Sequence, residues 1–302
     1  MAPKAANPWG RYARIALSSL KRSWIPAGAP FRLASLVTQP REHNEATIRL
    51  LCRNAYLGGG TAICRVLGRY KMYVDCNDVG LSGHLLIDGY WEMWVTETLA
   101  RLVKPGMVVA DIGANLGYYT LMMGDLVGET GWVHAVEPNP PIAERLRHSV
   151  SVNPGYQRTT VHQLALSDHD GEAQLFVPAS EPKNASLLAD TSHGGAVAVP
   201  LRRLDSLAGL ERLDVIKIDV EGAEEALWRG MTGILDANRP LSIILEFAAE
   251  RCVDPGAFID DMLARNFAIS LIRDDGALEP LDKASLLALP LGRDRMLLLQ
   301  RA

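Results

Sequence analysis

Acidic residues are missing from the first 41 positions, where Lys4, Arg11, Arg14, Lys21, Arg22, Arg32 and Arg41 are the only charged side chains. Trp9, Tyr12, Ile15, Ala16, Leu20 and Trp24 recur there at helical spacing, so residues 1–25 read as a basic amphipathic helix. Peripheral contact with an anionic membrane, a transit-peptide role and packing on the chain's own domain or on a second copy in a homo-oligomer all stay open. No apolar run approaches the roughly 20 residues that span a bilayer, so a soluble, cytoplasmic protein is expected, with any membrane association at the periphery. The four cysteines, Cys52, Cys64, Cys76 and Cys252, form no CxxC pair and no Cys/His ligand spacing. That excludes a zinc site of familiar spacing and a disulfide framework. A formal charge of -4 and a pI near 6.0 provide no basic footprint, so nucleic acid is not an expected partner.

Hydrophobic residues make up 48% of the 302 positions, enough for one sizeable α/β domain and a smaller accessory layer. Three segments are expected: a basic N-terminal helical extension over 1–60, a small leading subdomain or lid over 61–96, and the main domain over 97–302. The Gly58-Gly59-Gly60 break sets the first limit, and Lys104-Pro-Gly106 punctuates the main domain before its strand series. From Met107 onward strand and helix signals alternate. Val108 to Ile112, Trp132 to Val136, Val161 to Leu166, Leu213 to Val220 and Leu241 to Phe247 read as parallel strands buried on both faces. Helices are expected over 94–103, 116–127, from Asn139 to Asn153, over 223–231 and near 255–265, with two final strands over 268–273 and 296–300. Strands at 173–177 and 196–201 flank a polar loop, Ser180 to Gly195, of functional length. The pattern is a doubly wound, mostly parallel sheet.

Such a sheet binds its ligand beyond the carboxyl ends of its strands. Four of those ends carry Asp111, Glu137, Asp219 and Glu246, and Asp168 follows a fifth. Carboxylates crowded on one edge repel unless a lysine, a cationic ligand or a polyhydroxyl ligand sits among them. A ligand bearing both a ribose and a positive charge meets that demand. The first turn, Asp111-Ile-Gly-Ala-Asn-Leu-Gly117, lacks the G-x-G-x-x-G of a nicotinamide site, with Asn115 and Tyr118 where glycines would stand. Gly113 and Gly117 still allow a sharp turn against a ligand, Asp111 offers an acceptor to an ammonium, and Glu137 is placed for ribose hydroxyls.

Asp111-Ile-Gly-Ala-Asn-Leu-Gly-Tyr-Tyr-Thr120, Val136-Glu-Pro-Asn139, Ala165-Leu-Ser-Asp168 and Lys217-Ile-Asp-Val-Glu-Gly-Ala-Glu224 together resemble the FkbM-type methyltransferases. The resemblance runs from about Gly80 to about Phe247 and leaves residues 1–60 outside. It implies a class I methyltransferase sheet of seven strands, S-adenosylmethionine as methyl donor, and transfer to a hydroxyl of a sugar, glycan or natural product. It also implies that Asp111, Gly113, Asn115 and Gly117 line the methionine end, that Glu137 holds the ribose, and that Asp168 meets the adenine amino group.

Methyl transfer to an alcohol benefits from a positioned base. Strand alternation puts Lys217 and Asp219 on one face at the sheet's carboxyl edge. Asp219 is the expected base or orienting acid, with Glu221 and Glu246 as alternatives, while Glu224 and Glu225 suit the first turn of the next helix. No histidine lies in this cluster and Lys217 competes for its carboxylates, so no metal is expected. His84, Trp91, Glu92 and Asn184 lie in segments able to close over the site. Two rival classes are a cofactor-binding or scaffold protein without turnover, docked to a membrane by residues 1–25, and an NAD-dependent oxidoreductase.

Overall fold

The computed structural model describes residues 29–178, 185–187 and 195–301. The basic helix expected over 1–25, Asn184 and most of the Ser180–Gly195 loop lie outside them. From Phe31 onward the chain forms one compact unit.

It opens with helices α1 (Ser35–Thr38) and α2 (Arg41–Leu51), then an antiparallel sheet of β1 (Asn54–Gly58), β2 (Thr61–Val66) and β3 (Tyr70–Asp75). Helices α3 (Ser82–Ile87) and α4 (Met93–Leu102) lead into the alternating part. That part begins with β4 (Val108–Ile112), α5 (Tyr118–Leu126), β5 (Trp132–Val136), α6 (Pro140–Ser151) and β6 (Thr159–His162). A second small sheet, in the order β7-β9-β8, is made by β7 (Ala165–Leu166), β8 (Gly171–Val177) and β9 (Gly195–Arg202). The chain re-enters the main sheet through β10 (Val215–Ile218), α7 (Glu224–Arg229), α8 (Thr232–Ala237), β11 (Leu241–Phe247) and α9 (Pro255–Ala264). It closes with β12 (Ala268–Ile272), β13 (Leu278–Pro280), α10 (Lys283–Leu287) and β14 (Arg295–Arg301).

The main sheet runs β13-β12-β14-β11-β10-β4-β5-β6. Its central pairs β11/β10, β10/β4, β4/β5 and β5/β6 are parallel, and β14 inserts antiparallel beside β11. Strand order reverses between β4 and β10, which is where an open sheet of this kind leaves a crevice. Eight strands replace the expected seven. The additional one, β13, is a hairpin mate of β12, because Asp275-Gly276 makes a turn in which Gly276 takes φ +81° and the Ala277 N–H donates to Asp275 Oδ1. The expected third strand divides after His162, its second half joining the small sheet, and the helix expected over 223–231 is α7, which ends at Arg229, with α8 as a further short helix beyond Gly230.

Alternate residues of each central strand enter two separate cores. Val109, Val215, Ile244 and Leu298 join α4, α5, α6 and the β1–β3 sheet on one face. Ala110, Ile216, Ile218, Ile243, Leu245, Leu297 and Leu299 join α7, α8 and α9 on the other. Each fully buried Leu or Ile contributes about 1.5–3 kcal/mol through removal from water. The same parity sends Asp111, Lys217 and Glu246 toward the first face, and Lys217 stands directly opposite Asp111 in the β10/β4 register. Among the described residues no helix is long and apolar enough to cross a membrane.

Candidate active site

At the order reversal lies a cavity of about 330 Å³, walled by the carboxyl ends of β4, β5, β10 and β11 and by Trp91 and Glu92 ahead of α4. The turn after β4 is held by two backbone bonds, from the Gly113 and Ala114 N–H groups to the Val136 carbonyl at 3.0 and 2.9 Å. Gly113 has φ +76°, and a Cβ built on it would stand 1.7 Å from the Asp219 carbonyl oxygen. Backbone cannot yield there, so the β4 turn and the β10 end touch only through a glycine. Gly113→Ala is therefore expected to cost at least the roughly 1–3 kcal/mol of a strained backbone, seen as a fall in the urea midpoint. Unchanged stability would mean the two loops are free to separate.

Asn115 takes φ +50° and directs its N–H to Glu137 Oε2 at 2.9 Å, while the Asn139 N–H donates to Oε1 at 2.8 Å. Glu137 is thus pinned at the end of β5 with one lone pair of each oxygen still available. Its burial, opposed by those two N–H groups, pushes its pKa up to about 7. The adjoining wall is apolar, from Val136, Pro138, Ile142, Leu164, Leu166 and Leu175.

Deeper in the sheet, Lys217 is almost wholly inaccessible. Its Nζ lies 2.9 Å from Asp219 Oδ2 and 5.0 Å from the centre of the Tyr119 ring. Burial works against its charge, but attraction to Asp219 and Asp111 outweighs this and raises the ammonium pKa above the usual range. Asp111 has no exposed surface. Thr120 Oγ1 donates to its Oδ2 at 2.5 Å, and its buried Oδ1 has no hydrogen-bond partner among the described residues. The Tyr119 hydroxyl donates to Glu92 Oε2 at 2.9 Å, fixing a residue whose φ of +34° is itself unusual for a side chain of this type.

Across the cavity from Glu137, Arg251 Nη1 lies 3.2 Å from both Glu221 and Glu246, and its Nη2 lies 2.6 Å from Asp294. Burial first, and then the charges of Asp219, Glu221, Glu224 and Asp294, raise the Glu246 pKa. The carboxylate-rich strand ends are thus balanced by two cations, Lys217 from within and Arg251 from the loop after β11.

Residues 111–267 match the methyltransferase FkbM domain. The chain belongs to the FkbM methyltransferase family. It is 28% identical over 155 residues to methyltransferase sdnD of Sordaria araneosa, an alignment that takes in 41% of this chain and 60% of that protein. It is 30% identical over 161 residues to the 2-O-methyltransferase NoeI of Sinorhizobium fredii, covering 47% of this chain and 65% of that protein. The chain therefore spans less than two thirds of the length of either relative. A methyltransferase FkbM structure from Methylobacillus flagellatus aligns at 14% identity over 68% of this chain and 54% of that one, with a TM-score of 0.44.

The fold is that of a class I methyltransferase, and the cavity is suited to S-adenosylmethionine. The glycine at 113 permits close approach, the Glu137 carboxylate can accept from hydroxyl donors, and apolar walls flank the space an adenine needs. The nicotinamide alternative falls with the family assignment.

Not all expected ligands reach the cavity. Asp111 lies behind the wall, held by Thr120 and facing Lys217, because its parity turns it into the first core. Gly117 shapes the start of α5, where a Cβ would press on Leu146, and is not part of the wall. Asp168 lies outside as well, its Oδ2 accepting from Arg229 Nε at 3.1 Å and its Oδ1 2.8 Å from His169 Nδ1. Leu164, Ala165 and Leu166 line the cavity in its stead. Gly113, Asn115, Glu137, Lys217, Asp219, Glu221 and Glu246 do converge on it, and so do Trp91 and Glu92. Glu224 instead accepts from the Val220 and Gly222 N–H groups at the entry to α7. Arg251 escaped the sequence reading. Its signal was the charge imbalance of four acidic strand ends against one lysine.

Proposed function

We propose that this methyltransferase acts on a hydroxyl of a sugar, glycan or natural product. The observation that carries this reading is the position of Asp219: it borders the cavity beside the Gly113 turn, and Lys217 occupies Oδ2 while Oδ1 remains for a hydroxyl donor. The name of NoeI, a 2-O-methyltransferase, agrees with it.

In this scheme Glu137 accepts both ribose hydroxyls, and the Gly113–Asn115 turn bounds the methionine end. Asp219 accepts the hydrogen of the acceptor hydroxyl and points its oxygen along the transfer axis, with Lys217 fixing the carboxylate. Glu246 and Glu221, tied by Arg251, form the far wall on the acceptor side. When bound, S-adenosylmethionine supplies an electrophilic methyl on a sulfonium centre. Incubation with labelled S-adenosylmethionine and a panel of hydroxyl compounds tests the reading, and label found only on nitrogen or carbon acceptors would overturn it.

The Glu137 assignment has a pH signature. Ribose hydroxyls donate to the carboxylate, so binding favours its ionised form and loosens as pH falls through 7. Between pH 8 and pH 6 the affinity for S-adenosylmethionine is expected to drop about tenfold, near 1.4 kcal/mol. Glu137→Gln should bind more weakly at pH 8 and lose this dependence, as calorimetry at several pH values will show. A slope that survives in Glu137→Gln would assign the titration elsewhere.

A further inference from the structure

Past Glu246 the reaction cavity continues into a second cleft of about 740 Å³, and Glu92, Glu246 and Asp294 belong to the walls of both. A ligand filling it would be an extension of the acceptor and not a separate effector. The apolar part of the cleft lining is half-buried Trp94 with Ile272 and Met296, which share one face of the sheet. The rest of the lining carries half-exposed ion pairs. Arg273 lies 3.0 Å from Asp275 and 3.8 Å from Glu279, Arg251 holds Asp294, and Arg293 pairs with Asp274. Arg295, at the start of β14, also borders the cleft.

An apolar strip beside a rim of hydrogen-bond acceptors and donors suits a molecule with one C–H face and one hydroxyl edge, which describes a pyranose ring. Hydroxyls donate to the carboxylates and accept from guanidinium N–H groups. Six carboxylates against three guanidiniums line the cleft, and that excess opposes an anionic ligand.

Resting on the hydroxyl-acceptor reading above, we infer that the cleft is a second sugar subsite: the acceptor is a neutral or amine-bearing oligosaccharide, its methylated unit before Asp219 and its neighbouring unit against Trp94. The test uses the full chain saturated with S-adenosylhomocysteine. Its probes are mono-, di- and tetrasaccharides of glucose, fucose and N-acetylglucosamine, with the matching uronates. Calorimetry should find at least one neutral series that gains about tenfold or more in affinity from the first to the second sugar, with the uronate form weaker. Trp94→Ala should abolish the gain and Trp94→Phe keep most of it. Unchanged S-adenosylhomocysteine affinity in each variant certifies its fold. Absence of binding by every series, absence of a length gain, or a gain that survives Trp94→Ala would overturn the inference. Methyl transfer to monosaccharides or simple alcohols with no advantage of length would do so while leaving hydroxyl methylation standing. A length gain without transfer to any hydroxyl would instead keep the subsite and defeat the reading of the reaction.

Discussion

Asp219→Asn is expected to slow single-turnover methyl transfer about 100-fold or more, with little change in the dissociation constant for S-adenosylmethionine. The substitution keeps the shape of the side chain and its bond to Lys217, but gives up the charge that accepts and aligns the acceptor hydroxyl. Two roles for the carboxylate predict different pH profiles. A general base would give the wild-type rate an acid-side limb that vanishes in the variant, whereas an orienting group lowers the rate at every pH. The second outcome is expected, because Asp219 is half of an ion pair whose other member is buried. Near-normal turnover would remove Asp219 from both roles and turn attention to Glu221 and Glu246.

Lys217→Met should destabilise the fold by about 3–5 kcal/mol, measured as a fall in the urea midpoint at neutral pH. Among the described residues the ammonium is the cation that offsets the charge of Asp111, which is wholly buried. Removing it strands that carboxylate, and Asp219 beside it, without compensation. Burial first of all already raises the Asp111 pKa, with Lys217 pulling it down. In the variant Asp111 has more to gain from a proton in the native state than in the unfolded chain, so the loss of stability should shrink as pH falls into the carboxylate range. Adding Asp111→Asn to Lys217→Met should recover much of the loss at neutral pH. A loss under about 1 kcal/mol would show that the pair contributes no more than an exposed one does.

The strand series was legible because β4, β5, β10 and β11 are short apolar runs, each ending in an acidic residue at a sheet edge. Period-two alternation in such strands fixes which residues share a face, so Lys217 and Asp219 could be paired from their spacing alone. The glycine turn was legible too, since only glycine relieves the approach of the Asp219 carbonyl to residue 113. Strand breaks were less so. Residues 161–166 look like one apolar strand, and only tertiary pairing divided them between two sheets.

Sequence alone therefore determined the doubly wound sheet, the position of its ligand edge, the family resemblance and most of the residues at that edge, because local periodicity and turn chemistry encode them. Tertiary structure decided the depth of each side chain. It placed Asp111 behind the cavity wall opposite Lys217, sent Asp168 outward to Arg229, and brought Arg251 from beyond β11 to the acidic cluster. Those outcomes depend on register between strands and on loops that pack across long stretches of chain, and neither leaves a periodic trace in the residues themselves.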